Sequence, residues 1–315
     1  MLTTSFLLAQ TKTDDIVNVK EVERMERTLS SDDMQGRRIF TPGIDKAADF
    51  IASEFKKIGL ENFSEKGNDT NQYRQTFTMG SSPSARQLTN VVGVLPGKTR
   101  RDEYVIFSAH YDHLGINKPV NGDSIYNGAN DDASGVTAVI MLAKYFKALD
   151  NNERTIVFAA FTGEEMGGLG SRYFSKQFDP NKVVAMFNIE MIGTESKWGK
   201  NSAYVTGYEK TDMGQILQKN LEGTGFTFYP DPYTSENLFY RSDNATLARL
   251  GVPAHTISTS KMDSEPNYHK LSDQIETLDL DNMTMIIRSI ALSAKTIVAG
   301  KDTPARVKSK ELEQN

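Results

Sequence analysis

Residues 154–170, RTIVFAAFTGEEMGGLG, constrain this chain more than any other stretch, because an unbroken apolar run leads straight into two adjacent carboxylates. Residues 156–161 show no polar alternation, the pattern of a strand covered on both faces in a largely parallel sheet. Ligand crevices in open α/β sheets lie at the carboxyl ends of the strands, and the Thr162-Gly163 turn would carry Glu164 and Glu165 to that rim. Two carboxylates held together there repel, and one pKa rises unless a cation or a shared proton intervenes. The pair therefore suggests a metal, with one glutamate as ligand and the other as base. A solvated acidic turn is the plainer alternative.

A chain of 315 residues has room for one large α/β domain with a substantial core. Its formal charge of −5 and isoelectric point near 5.5 supply no basic stripe for a phosphate backbone, which argues against nucleic acid as a partner. No apolar run has the 18 or so residues of a membrane span. With no cysteine, disulfides, thiolate zinc sites and cysteine nucleophiles are all excluded, so a transition metal must be held by His, Asp and Glu. The four histidines are His110, His113, His255 and His269. Residues 2–9, LTTSFLLA, resemble the end of a signal-peptide apolar region without its basic start, and suggest an exported protein. An ordinary frayed N-terminus is the alternative. The expected organisation is a signal-like extension over residues 1–17, a single domain over 18–299 and a charged, disordered tail over 300–315.

Apolar residues recur at helical spacing over residues 18–29 and 45–58, the second segment closed by Gly59. Residues 61–87 are polar and turn-rich and read as an edge hairpin or a flap. Strands are expected at 88–95 and 104–109. The second ends in HYDHLG, which puts His110 at the same rim, with Asp112 placed to accept its second ring N–H and fix the tautomer. His113 points elsewhere in an extended segment and is read as a structural or supporting residue. NGANDDASG then leads into an all-round apolar helix over 136–149. Capping explains one of Asp131 and Asp132 but not both; Gly128 and Gly135 allow the tight turns needed to aim one inward. A strand at 183–189 ends on Glu190. His255, inside a strand at 253–257, reads as a core histidine. His269 lies in a polar loop after Tyr268, and residues 280–298 read as one long amphipathic helix.

His110, Asp131, Glu165, Glu190 and His269 all fall at strand ends or adjacent loops and offer only nitrogen and oxygen donors. That set suffices for two zinc ions bridged by a shared carboxylate roughly 3.5–4 Å apart. The motifs SAHYDHLG, NGANDDASG, FTGEEMGGLGS, NIEMIG and NYHKLSD, in this order, resemble the co-catalytic zinc aminopeptidases related to aminopeptidases S and Y, metallopeptidase family 28. The resemblance extends over residues 29–278. It implies a three-layer α/β/α sandwich around a mixed, mostly parallel sheet. It also implies two zinc ions, with His110 and His269 as terminal ligands, Asp131 as bridge and Glu165 as ligand. Glu164 becomes the general base, Asp112 the residue orienting His110, and Tyr268 a partner of the scissile carbonyl. Glu190 would bind the second metal, where most relatives carry aspartate. The implied activity is removal of N-terminal residues from peptides with a free N-terminus. Two other readings share this fold: a single-zinc glutaminyl-cyclase-like acyltransferase using Asp131, Glu165 and His269, and a non-catalytic receptor-like module.

Overall fold

The computed structural model describes residues 13–63, 73–81 and 83–308. The signal-like residues 2–9 lie outside them. In chain order the strands are β1 (Glu61–Asn62), β2 (Arg74–Met79), β3 (Arg86–Leu95), β4 (Arg100–His110), β5 (Gly115–Val120), β6 (Asp123–Tyr126), β7 (Arg154–Phe161), β8 (Val183–Ile189), β9 (Ser202–Val205), β10 (Thr227–Pro230) and β11 (Ala254–Ser258). Nine of them form one sheet in the order β1-β3-β7-β4-β8-β11-β9-β10, with β2 also paired to β3. Its centre, β7-β4-β8-β11, is parallel. The flanks are antiparallel where β3 meets β7 and where β9 meets β11, so the sheet is mixed as expected.

Both faces of the central strands are covered, and the period-two geometry of a strand sends alternate side chains to two cores. Ile156, Phe158 and Ala160 of β7 enter the larger core, and Val157, Ala159 and Phe161 enter the smaller one. The larger core packs under helices α1 (Val19–Leu29), α2 (Pro42–Ile58), α3 (Ser134–Leu149), α5 (Met213–Asn220) and α6 (Leu280–Ser293). The smaller core is closed by Phe174 of α4 (Leu169–Ser175), by Leu247 and Val252, and by Val307. The result is a three-layer α/β/α sandwich. Helix α3 is buried almost all round, which accounts for its apolar residues on every side.

Several elements differ from the sequence reading. Residues 115–126, which look like a polar loop, form the β5–β6 hairpin, whose first strand is exposed from Ile116 to Val120. A strand without a core face shows no apolar alternation to read. The stretch at 61–87 does contribute an edge, with β2 antiparallel on β3. The C-terminal helix is broken at Ala294 into α6 and a single turn, Lys295–Val298. Residues beyond Gly300 do not detach at once: Arg154 Nη1 donates to the Asp302 carbonyl at 2.6 Å, and the buried Val307 donates its N–H to the Gly251 carbonyl at 3.1 Å. One apolar anchor among charges is too weak a pattern to show this in sequence.

Candidate metal centre

Parallel pairing of β7, β4 and β8 puts their carboxyl ends side by side, so His110 closes β4, Glu164 and Glu165 follow β7, and Glu190 follows β8. Between β6 and α3 the chain brings in Asp131, and the loop after β11 brings in His269. His110 Nε2 lies 3.2 Å from Asp131 Oδ1 and 3.3 Å from Glu190 Oε1. On the other side of Asp131, His269 Nε2 lies 3.2 Å from Asp131 Oδ2 and 3.1 Å from Glu165 Oε2. All five expected ligands therefore converge, with Asp131 shared between two groups.

The pair Asp131-Asp132 divides its labour as capping physics suggests. Asp132 Oδ1 accepts the N–H groups of Gly135 and Met191, each at 3.0 Å, and so ties the start of α3 to the end of β8. Asp131 turns into the cluster instead. Two glycines make this possible: a Cβ at Gly135 would come within 2.4 Å of Asp132 Oδ2 and the Ile189 carbonyl, and Gly128 holds a left-handed φ of +58° against the Asp131 carbonyl and the His113 ring.

His113 is where the structure corrects the sequence reading. The residue does not point away: its Nδ1 hydrogen-bonds Glu165 Oε1 at 3.0 Å and stands 3.7 Å from Asp131 Oδ2. Gly115, with φ +80°, starts the hairpin just beyond, so the segment is not a straight extension in which residue parity fixes direction. Asp112 does face His110, with its carboxylate 3.7 Å from His110 Nδ1, but it has a second task. His110 Nδ1 bonds the Asp112 carbonyl oxygen at 3.1 Å, whereas the Asp112 carboxylate accepts the Glu164 N–H at 3.0 Å. It thereby links β4 to the glutamate pair. His255 behaves as a core histidine, with Nε2 facing Thr211 Oγ1 at 2.8 Å and Nδ1 facing the Thr206 carbonyl at 2.7 Å.

Two residues behind the cluster had no recognised role in the sequence. Arg37 is fully buried, and its guanidinium donates to the carbonyls of Leu29, Tyr111, Asn127 and Gly128 at 2.5–2.9 Å. It clamps the loop carrying Asp131 to the strand end carrying His110. Asp273 accepts the N–H groups of Asn130 and Asp131 at 2.8 and 3.0 Å, and burial pushes its carboxyl up to about 6. Arg37 is one of two adjacent arginines in a polar loop, and charged loop residues are ordinarily solvated.

Burial by itself would raise the Asp131 carboxyl, but His113, His110 and His269 hold it well below the usual carboxylate range. Burial likewise disfavours a charged His110 and His269, and the surrounding carboxylates overcome it, raising His110 well above its ordinary value and His269 to about 10. Glu164 goes the other way: burial, reinforced by Asp243, Glu190 and Glu165, raises its carboxyl well above the ordinary value. Adjacent glutamates thus sit in opposite regimes, since Glu165, despite burial, is lowered by His113 and His269.

The residues fit a metal. His110, Asp131 and Glu190, and separately His113, Asp131 and Glu165, each present ligand atoms within 4.8 Å of one another. Buried Asp131 Oδ2 has no hydrogen-bond partner, although an imidazole nitrogen stands 3.2 Å away without the alignment of a hydrogen bond. A buried carboxylate oxygen of this kind is costly unless a cation meets it.

Tyr268 stacks on His269 with ring centroids 3.9 Å apart, beside the same cavity of about 60 Å³. Beyond the cluster that cavity is walled by Tyr204, Leu238 and Met262, with Ser242 and Thr256.

The model of Peptidase family M28 matches residues 90–294, a range that contains every residue of the cluster. The chain belongs to that family. Among its relatives is a probable leucine aminopeptidase of Trichophyton verrucosum, 30% identical over 62% of this chain. The chain spans about half the length of the curated relatives it matches, 53% in this case. Among solved structures, BSAP, a zinc aminopeptidase from Bacillus subtilis, matches 91% of this chain and 97% of its own with a TM-score of 0.69 at 16% identity. Porphyromonas gingivalis glutaminyl cyclase matches 89% of this chain and 99% of its own with a TM-score of 0.67 at 14% identity. At such identities these two structures bear on the fold, which the M28 chain shares with both.

Proposed function

We propose that this M28 chain is a zinc-dependent aminopeptidase that uses two metal ions. The observation that carries the reading is the pair of donor groups sharing Asp131, with Glu164 on the rim of the same cavity. His110, Asp131 and Glu190 would hold one ion; Asp131 and Glu165 would hold the other with His269, whose Nε2 stands 3.2 and 3.1 Å from their oxygens, and His113, bonded to Glu165, is the alternative imidazole on that side. Bound zinc supplies Lewis acidity and lowers the pKa of water.

The chain's own residues do the rest. Glu164, on the lining of the same cavity as the donor groups, takes the proton of the attacking water and passes it to the departing amine. The Asp112 carboxylate fixes the Glu164 backbone, and so the position of the base. Tyr268, stacked on His269 and lining the same cavity, donates to the developing oxyanion, a role carried over from the family resemblance. The N-terminal side chain enters the cavity beside Leu238, Met262 and Tyr204, with Arg241, Ser242 and Thr256 also on its wall.

A glutaminyl-cyclase-like site needs one zinc and leaves His110 and Glu190 without work, yet here they complete a second donor group. No helix among the described residues is long and apolar enough to cross a membrane. Export belongs to the proposal through residues 2–9 alone, and N-terminal sequencing of the processed protein tests it. For the activity, leucyl-p-nitroanilide should be cleaved, its N-acetyl form should not, and chelation should abolish cleavage. Equal cleavage of the blocked substrate would sink the exopeptidase reading. One tightly bound zinc with full activity would sink the two-metal one.

A further inference from the structure

The cluster opens on a second side, away from the Leu238 and Met262 cavity. There His113, Glu165 and His269 border a cleft of about 340 Å³ together with Asn117 and Tyr126. Arg38, Ile39 and Met166 line that cleft and also an adjoining one of about 530 Å³, which continues past Phe40, Arg86 and Ile116. The two are lobes of one trough that starts at the metal ligands. Its outer wall is the β5–β6 hairpin, and two of its apolar side chains face water: Met166 is 61% exposed and Ile116 50%. Single exposed apolar residues need no explanation, but two on the walls of a concave surface joined to a reaction centre mark a binding groove.

The charges in the trough say what fits it. The protein carries a net charge of −5, yet both arginines of the trough lack an acidic partner among the described residues. Arg38 is exposed, with its stem against Gly115, and Arg86 lies over the Phe40 ring at 3.8 Å. A guanidinium with its fork unpaired beside an apolar wall is matched by a carboxylate at the end of an apolar segment.

We propose that this trough seats the leaving portion of short peptides, with Arg38, backed by Arg86, receiving the substrate's C-terminal carboxylate. The inference rests on the aminopeptidase reading and adds the substrate class: oligopeptides a few residues long with apolar side chains after the scissile bond. Their extended backbone, at about 3.3 Å per residue, runs from the cluster along Ile39 and Met166. The N-terminal residue occupies the enclosed cavity on the other side.

The test compares Leu-Gly-Leu and Leu-Gly-Leu-Phe as free acids and as C-terminal amides, in the zinc-loaded enzyme and in an Arg38→Gln/Arg86→Gln variant. Glutamine keeps much of each stem, and leucyl-p-nitroanilide hydrolysis by both proteins provides the reference. A partly exposed ion pair is expected to favour the acids about two- to fivefold in kcat/KM, carried by KM, and the variant should bring that ratio to about one. Equal cleavage of acid and amide by the wild-type enzyme, or an acid preference that survives in the variant, overturns the proposal while anilide hydrolysis leaves the aminopeptidase reading standing. Amidated Leu-Gly-Glu cleaved as well as the free acids overturns the assignment to the C-terminus. Failure to cleave the anilide as well removes both readings.

Discussion

Shortening Glu190 by one methylene tests the proposed second metal position directly. Glu190 is buried, and its two oxygens have separate tasks: Oε1 faces His110 Nε2 at 3.3 Å, and Oε2 accepts the Ser242 hydroxyl at 2.8 Å. In Glu190→Asp the carboxylate retracts by about 1.3 Å on standard C–C geometry, which stretches the Ser242 contact to roughly 4.1 Å and breaks it as a hydrogen bond. The main chain cannot advance to compensate, because Glu190 N–H is bonded to the Ile257 carbonyl at 3.1 Å and Met191 N–H to Asp132 at 3.0 Å. Loss of an outer partner alone typically costs about 10- to 100-fold in metal affinity, and a retracted ligand costs at least as much. Zinc affinity at the position of His110, Asp131 and Glu190 should therefore fall by about 10- to 100-fold, with the Glu165 position affected less. Competition against a chromophoric chelator resolves the two affinities, and kcat/KM on leucyl-p-nitroanilide should fall with the weaker one. The family that this chain resembles usually carries aspartate here, which makes the opposite result the natural rival. Two zinc ions held equally well or better by Glu190→Asp would refute the reasoning from reach.

Further outcomes follow from the same geometry. Glu164→Ala should lower kcat by about 10²–10⁴ with zinc content unchanged, and metal loss in this variant would reverse the roles of the glutamates. Glu26 is fully buried beneath the Asp131 loop, with Oε2 accepting the Thr137 hydroxyl at 3.0 Å and Oε1 without a hydrogen-bond partner; burial pushes its carboxyl up to about 8. A raised carboxyl pKa contributes stability that is present below its unfolded value near 4.5 and is lost as pH rises toward 8. The loss is about 3 kcal/mol by pH 7, and the stability of Glu26→Gln relative to wild type, from urea unfolding, should climb between pH 5 and 8; a flat difference contradicts this. Burial lowers His255 to about 4, so its share of stability is present above about 6.5 and is lost as pH falls through 4, and His255→Gln should flatten the acid limb of Tm against pH.

Much of the site is legible in the sequence itself. Unalternating strands such as residues 156–161 and 183–189 announce a sheet covered on both faces, and the residue ending each one must stand on the rim, which locates Glu165, Glu190 and His110. Glycine positions add one of Asp131 and Asp132 by showing where the backbone can turn inward, and the family resemblance says that it is Asp131. Those inferences depend only on local geometry, because strand period and turn chemistry are properties of a few consecutive residues. The family resemblance supplies His269 and the division between Glu164 and Glu165.

The tertiary structure decided what depends on strand order and on contacts between distant segments. His113 reaches Glu165, 52 positions away, only because β4 and β7 are parallel neighbours and the chain turns at Gly115. Arg37 becomes a clamp because carbonyls from residues 29, 111, 127 and 128 gather around one guanidinium, and nothing in a loop arginine announces that. The β5–β6 hairpin escapes notice for the same reason, since a strand facing solvent on both sides has no burial pattern to betray it. Sequence determines which residues arrive at the rim, since the backbone sets that locally; which of them then touch is fixed by long-range packing, and no local pattern encodes it.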